Sequence, residues 1–164
     1  MAADRDRAQV YAAELSAFDG TDMEAVVGRD AVARAIERVL NGPWWPGGSV
    51  SVRSMRSDAR SSVARCSGGD GAGVIDIGIS EAQATLATGA HELAHALAGI
   101  DHGHDAVFRR AHLDVVSVIT NTDRATGRGR LHVDQLRQAY AAAGLATGER
   151  AWPEPPQTGG AIAL

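Results

Sequence analysis

His91-Glu92-Leu93-Ala94-His95, followed within nine residues by Asp101, His102 and His104, is the segment whose residue types and spacing specify chemistry. Successive helical residues turn by about 100°, so histidines four apart lie about 40° apart around the axis, one turn apart along it, and both imidazoles can reach one metal ion. Glu92 stands about 100° round from His91, outside the coordination sphere but able to lean over a water held by the metal. Two imidazoles with an adjacent carboxylate are the pattern of zinc-assisted hydrolysis, with Glu92 as general base.

Working outward, Ser80 and Gln83 have capping-box spacing and Gly99 suits the left-handed position past a helix end, which predicts a helix from about Glu81 to Ala98. On its wheel Leu86, Ala90, Leu93 and Leu97 gather on one side and His91 and His95 on the other. The small residues Ala84, Ala87, Thr88 and Ala98 flank the histidine front and predict a cleft there.

A catalytic zinc site keeps three protein ligands and an open position, whereas a structural one is closed by four. Three residues after Gly99 compete for the third place. Asp101 lies six residues beyond His95, the spacing of the metzincin peptidases, but the glycine of that pattern is a position late and no methionine follows. His102 sits in the turn itself. His104 has the better context, since a helix opening there places Phe108 one turn on as a core anchor, with Val115 and Ile119 continuing the stripe. His112, about 80° round from His104 on that helix, is expected to face the core or support a ligand.

His91-Glu92-Leu93-Ala94-His95, a short loop, then His104 with Phe108 four residues on resembles the SprT-like zincin metallopeptidases, in which HExxH is followed by a histidine, usually in His-Gly-Pro-x-Phe. Here His104-Asp105-Ala106-Val107-Phe108 keeps the histidine and phenylalanine without the Gly-Pro, and His102-Gly103 supplies a His-Gly two residues early. More broadly the chain resembles a family of small actinobacterial metallohydrolases. That likeness takes in Val10-Tyr11-Ala12-Ala13-Glu14, the helix ending near Trp44-Trp45, the strand before the metal-motif helix, and Ala111-His112-Leu113-Asp114. The resemblance favours His104 as third ligand. It implies a zincin-like α+β fold, a peptide or protein substrate, and substrate held by backbone hydrogen bonds to the strand at the cleft edge.

Elsewhere the patterning is ordinary. Tyr11, Leu15 and Phe18 at i, i+4 and i+7 predict a covering helix over about 4–18, ended by Gly20. Asp30 as N-cap, then Val32, Ile36, Val39 and Leu40 on one face, predict a second helix stopped by Asn41-Gly42-Pro43. Of the adjacent tryptophans Trp44 and Trp45, one is expected as a buried anchor and the other as a surface ring. Ser49 to Met55, Ser61 to Cys66 and Val74 to Ile79 read as strands, the last with Ile75, Ile77 and Ile79 toward the core and Asp76 and Gly78 on the other face; that this strand is the cleft edge is what the resemblance implies. The glycine run Gly68-Gly69-Asp70-Gly71-Ala72-Gly73 lacks a Gly-Lys-Ser/Thr ending and precedes a strand, so it is a hairpin loop and not a phosphate loop. Val133, Leu136 and Tyr140 mark a final helix ending at Gly144.

The 164 residues, 45% of them hydrophobic, suit one domain with a real core. The expectation is a single zincin-like domain over residues 1–150, a small three-stranded sheet packed with about five helices and HExxH on the central one, then a flexible tail over 151–164 begun by Trp152-Pro153-Glu154-Pro155-Pro156. A net charge of −4 gives no general attraction to phosphate backbones. Nucleic acid is therefore not expected as a partner unless Arg53, Arg56, Arg60 and Arg65, or Arg124, Arg128 and Arg130, converge on one face. Cys66, the lone cysteine, excludes an internal disulfide and reads as a small buried residue. No run approaches the ~20 apolar residues of a membrane span and the start has no apolar signal core, so no membrane partner and a cytoplasmic location are expected.

The expected function is zinc-dependent peptide or amide hydrolysis, with zinc on His91, His95 and His104 and Glu92 as base. Its competitor is a non-catalytic zinc-binding regulatory or interaction protein, which a fourth ligand would favour. The group that stabilises the oxyanion is open among His112, Tyr140, Arg109 and Arg110.

Overall fold

A computed structural model describes residues 4–55, 59, 62–67, 73–120 and 128–156. The fold is α+β: a three-stranded mixed sheet and five helices, α1 (Arg7–Phe18), α2 (Arg29–Leu40), β1 (Val50–Ser54), β2 (Val63–Ser67), β3 (Val74–Ile79), α3 (Leu86–Ala98), α4 (Ala106–Ile119) and α5 (Arg128–Ala142). No helix among the described residues is long and apolar enough to cross a membrane.

The periodic stripes of α2, α4 and α5 face the core as expected. Val32, Ile36 and Val39 are buried on α2, Phe108, Val115 and Ile119 on α4, and Val133, Leu136 and Tyr140 on α5. Asp30 is not the cap of α2: Gly28, at φ +93°, leads into the helix and Asp30 sits in its first turn, where a negative charge meets the helix dipole. Gly89 lets α2 and α3 cross closely, because a Cβ there would stand 2.7 Å from Val32 Cγ1.

In α1 the expected stripe is on the wrong face. Of Tyr11, Leu15 and Phe18 only Phe18 is buried, and the inner face is Val10, Ala13, Glu14, Ala17 and Phe18. Small residues bring α1 close to its neighbours, and the carboxylate in their midst has buried partners, described below.

The strand order is β1-β3-β2, with β1 parallel and β2 antiparallel to β3. β3 is therefore the centre of the sheet, not the cleft edge; β2 is the edge beside α3. The inner face carries Val50, Val52, Ile75, Ile77 and Ile79 in register. Residues 68–72 of the expected hairpin loop lie outside the described residues, and the strands on either side are antiparallel neighbours. Cys66 is exposed on β2, not buried. Arg53 and Arg65 do share the outer face, but Asp76 stands with them and pairs with Arg53 at 3.5 Å. Arg56, Arg60 and Arg124, and the side chains of Arg128 and Arg130, lie outside the described residues.

Two ends differ from expectation. α3 begins at Leu86, after a 3₁₀ turn over Glu81–Gln83, and its cap is Thr85, whose Oγ1 accepts the Thr88 N–H at 3.1 Å. Ser80 and Gln83 instead fasten the approach to β2: Ser80 donates its N–H to Ser62 Oγ and Gln83 Oε1 accepts the Ser62 N–H. The segment expected as an unpacked tail, 151–164, is anchored through Trp152 and Pro153, the residues after 156 lying outside those described. Arg150 makes two hydrogen bonds to Asp114 (2.7 and 2.9 Å), Trp152 Nε1 donates to the same carboxylate, and Pro153 O accepts from Trp44 Nε1. Trp44 is the buried ring of its pair and Trp45 the partly exposed one. Proline-rich composition rules out a helix here, but not packing through side chains.

Candidate metal centre

α3 presents His91 and His95 from adjacent turns, and Gly99 (φ +100°) ends it where the left-handed expectation placed it. The chain reverses through a 3₁₀ turn over Ile100–His102 and Gly103 (φ +56°), and Asp105 then caps α4 by accepting the N–H groups of Val107 and Phe108. His104 thus stands immediately before the cap, two residues ahead of the helix it was expected to open. The reversal carries it back over α3, where His104 Nε2 lies 3.1 Å from His91 Nε2.

His91, His95 and His104 each offer a nitrogen, all within 4.8 Å of one another. Imidazole nitrogens bound at about 2.0–2.1 Å in a tetrahedral array stand about 3.3 Å apart, so the three fit a shared ion. The other candidates stay outside: His102 is exposed and bonds Asp105 Oδ2 at 2.9 Å, and Asp101 is exposed in the turn.

Two carboxylates from the N-terminal segment orient two of these imidazoles. Glu14 Oε2 accepts from His91 Nδ1 at 2.8 Å, and Asp4 accepts from both Nδ1 and the backbone N–H of His104. A carboxylate on Nδ1 fixes that proton and turns the Nε2 lone pair toward a metal. With both Nδ1 protons so held, the two Nε2 lone pairs meet at 3.1 Å, an arrangement that a cation between them stabilises. Buried Arg109 completes the support, donating to Asp6 and to the carbonyl of His104, both at 2.8 Å.

Glu14 reaches further. Its Oε1 lies 3.8 Å from His112 Nε2, too far for a hydrogen bond, and His112 Nδ1 is 2.6 Å from the Tyr140 hydroxyl. Glu14, His91 and His112 form a second buried group able to hold a metal, sharing His91 with the first. Burial opposes the charge on Glu14, but His91, with His112 and His104 behind it, outweighs burial and lowers its pKa. Burial likewise opposes protonation of His91, and Glu14 and Glu92 outweigh it, raising its pKa. Burial, then the neighbouring His91 and His104, pushes His95 down to about 2 and keeps its ring neutral, as a ligand must be.

Because Glu14 is a buried partner of two buried histidines, Glu14→Ala is expected to weaken metal binding ten- to a hundredfold. The same change should destabilise the metal-free fold by roughly 3–5 kcal/mol, since it leaves those groups uncompensated. Chelator competition and denaturant unfolding measure the two effects. Wild-type metal affinity in a folded Glu14→Ala variant would show that the pairing is incidental.

The histidine front is less open than its small residues suggest. Ala84 and Ala87 pack into the core, and α1 covers His91, with the Tyr11 ring stacked on it at 5.0 Å and 11°. The opening lies beside Glu92, where a cavity of about 550 Å³ is lined by His91, Glu92, Thr88 and Tyr11 among others. Burial raises the Glu92 pKa, opposed by His91 and by the Ala64 N–H of edge strand β2. None of the four oxyanion candidates lines the cavity. His112 and Tyr140 are buried against each other, Arg109 is committed as above, and Arg110 donates to Gly148 O.

Sequence reading missed Asp4, Tyr11 and Glu14. The available signal was Val10-Tyr11-Ala12-Ala13-Glu14, whose i, i+3 spacing puts Tyr11 and Glu14 on neighbouring positions of one helix face. No protein-family model, curated protein or solved structure matches the chain.

Proposed function

We propose that the protein is a zinc-dependent hydrolase of peptide or amide bonds, with His91, His95 and His104 holding the zinc and Glu92 acting as general base. The observation that carries this reading is the buried three-histidine cluster with carboxylates on two of its Nδ1 atoms and Glu92 beside it at a cavity. Zinc, when bound, supplies Lewis acidity, polarising a carbonyl and bringing the pKa of water to about 7. Glu92 takes the proton of the attacking water, and its raised pKa brings it nearer the operating pH, where a base that must later return the proton works best. The substrate backbone pairs with the edge strand β2, in place of the β3 expected from sequence.

Tyr11 takes the part left open among the four other residues. The ring is stacked on His91 and lines the cavity with Glu92, and we assign to the Tyr11 O–H the donation to the carbonyl oxygen. Tyr11→Phe is expected to lower kcat about a hundredfold, the effect of removing one oxyanion donor, with zinc content unchanged. An unaltered kcat would remove Tyr11 from the mechanism.

A four-ligand closed centre, the basis of a purely structural role, gains no support from His102, which is turned onto Asp105. The test is metal content by mass spectrometry, then peptide-library proteolysis by the zinc-loaded protein. One zinc per chain and cleavage abolished by chelator are expected; zinc without any hydrolysis would sink the enzymatic reading.

A further inference from the structure

Six large apolar side chains are exposed among the described residues: Tyr11 (44%), Leu15 (57%), Val26 (69%), Val27 (44%), Val74 (36%) and Leu131 (55%). Three of them, Tyr11, Leu15 and Val26, line the single cavity that ends at His91 and Glu92. Apolar side chains scattered on a surface need no explanation, but a group of them around one concave site marks a place where apolar surface is covered by a ligand.

The polar lining leaves little for an anionic guest. Thr85 and Thr88 hydrogen-bond each other at 3.1 Å, and Gln83 Oε1 is taken by Ser62 N–H at 2.7 Å. Arg7 is held over the Tyr11 ring, 5.8 Å from its centroid. The remaining charges are carboxylates, Glu14, Glu24 and Glu92. All three line the same cavity, so negative charge is gathered on its wall. An acidic side chain entering here meets that charge, whereas an aliphatic or aromatic one covers Leu15 and Val26.

We infer that this cavity is a specificity subsite that takes one uncharged, apolar side chain of a peptide substrate, next to the bond cleaved at Glu92, and that Leu15 and Val26 are its selecting residues. The inference rests on the hydrolase reading for the word substrate, and its binding part can be tested apart from it. Side chains of leucine or phenylalanine size are accepted and aspartate or glutamate is rejected.

The experiment uses blocked hexapeptides varied one position at a time among Leu, Phe, Gly and Asp. Binding is measured to the zinc-loaded Glu92→Gln protein by calorimetry, and turnover with the wild type. One position is expected at which Leu or Phe binds and is cleaved at least tenfold better than Asp. Leu15→Asn and Val26→Asn, which remove apolar surface without adding charge, should each erase that preference with zinc content unchanged. Leu131→Asn, at an equally exposed apolar position on α5, should leave it intact. Because Leu15 and Val26 face solvent, neither change threatens the fold. If both variants keep the wild-type preference, or Asp is favoured at every position, the subsite is overturned while the hydrolase reading stands. If the preference appears in binding but no peptide is cleaved, the hydrolase reading falls and the subsite stands as a peptide-binding site. If no peptide binds, the subsite is overturned.

Discussion

Glu92→Gln is expected to retain zinc and lose hydrolysis by a factor on the order of 10³, the scale of a positioned general base. Glutamine matches glutamate in size and can still accept the Ala64 N–H through its carbonyl oxygen, so the carboxylate's proton affinity is what changes. Stability separates this outcome from damage to the fold. A carboxyl whose folded pKa lies above its unfolded value binds more protons in the folded state. Its contribution to stability therefore falls as pH rises from the ordinary carboxylate range through the raised value. At neutral pH the buried charge is a cost to the metal-free protein, and glutamine removes it. The metal-free variant should then melt at or above the wild-type temperature, as expected for an active-site group that trades stability for activity. Turnover above a tenth of wild type, with zinc bound, would rule out Glu92 as the base.

The parts of this site that could be read from sequence are those set by local geometry. HExxH on a helix fixes the relation of His91, Glu92 and His95 within little more than one turn, and Phe108 four residues beyond His104 fixes the approach of the next helix. The parts that could not be read are non-local or invert the usual burial rule. Strand order depends on which strands meet in space, and alternation in Val74–Ile79 is the same for a central strand as for an edge. In α1 the large apolar residues Tyr11 and Leu15 face the cavity while Glu14 is buried, so a hydrophobicity pattern chose the wrong face. The second error has a physical origin: α1 is packed against the histidines. Its position brings Asp4 to His104, Glu14 to His91 and Tyr11 onto the His91 ring, three contacts separated in sequence by 77 to 100 residues for the two hydrogen-bonded pairs. The N-terminal segment therefore belongs to the centre as much as the HExxH helix does, and the motif alone is half of the site.

His95→Ala separates metal binding from folding. His95 is the one ligand of the three with no carboxylate on its ring among the described residues; it is wedged against Phe108 at 4.4 Å and against His104 at 4.8 Å between ring centroids. Its burial is partial, so truncation should cost the metal-free fold only about 1 kcal/mol. Zinc binding should suffer far more. Four-ligand structural sites bind with roughly 10–16 kcal/mol, which puts one ligand at about 3 kcal/mol, or a hundredfold in affinity. The consequence is visible in melting. Zinc at a thousand times its Kd adds about 4.1 kcal/mol to wild-type stability, which at roughly 2–4 °C per kcal/mol for a chain of this size is a rise of about 8–16 °C. At the same zinc concentration the variant should gain only about 1.4 kcal/mol, a shift of roughly 3–6 °C. Hydrolysis should disappear, because an ion bound in the variant lacks one of its three imidazoles. An undiminished zinc-dependent shift in His95→Ala would mean that the ion sits elsewhere, and the buried Glu14, His91 and His112 group is where it would next be sought.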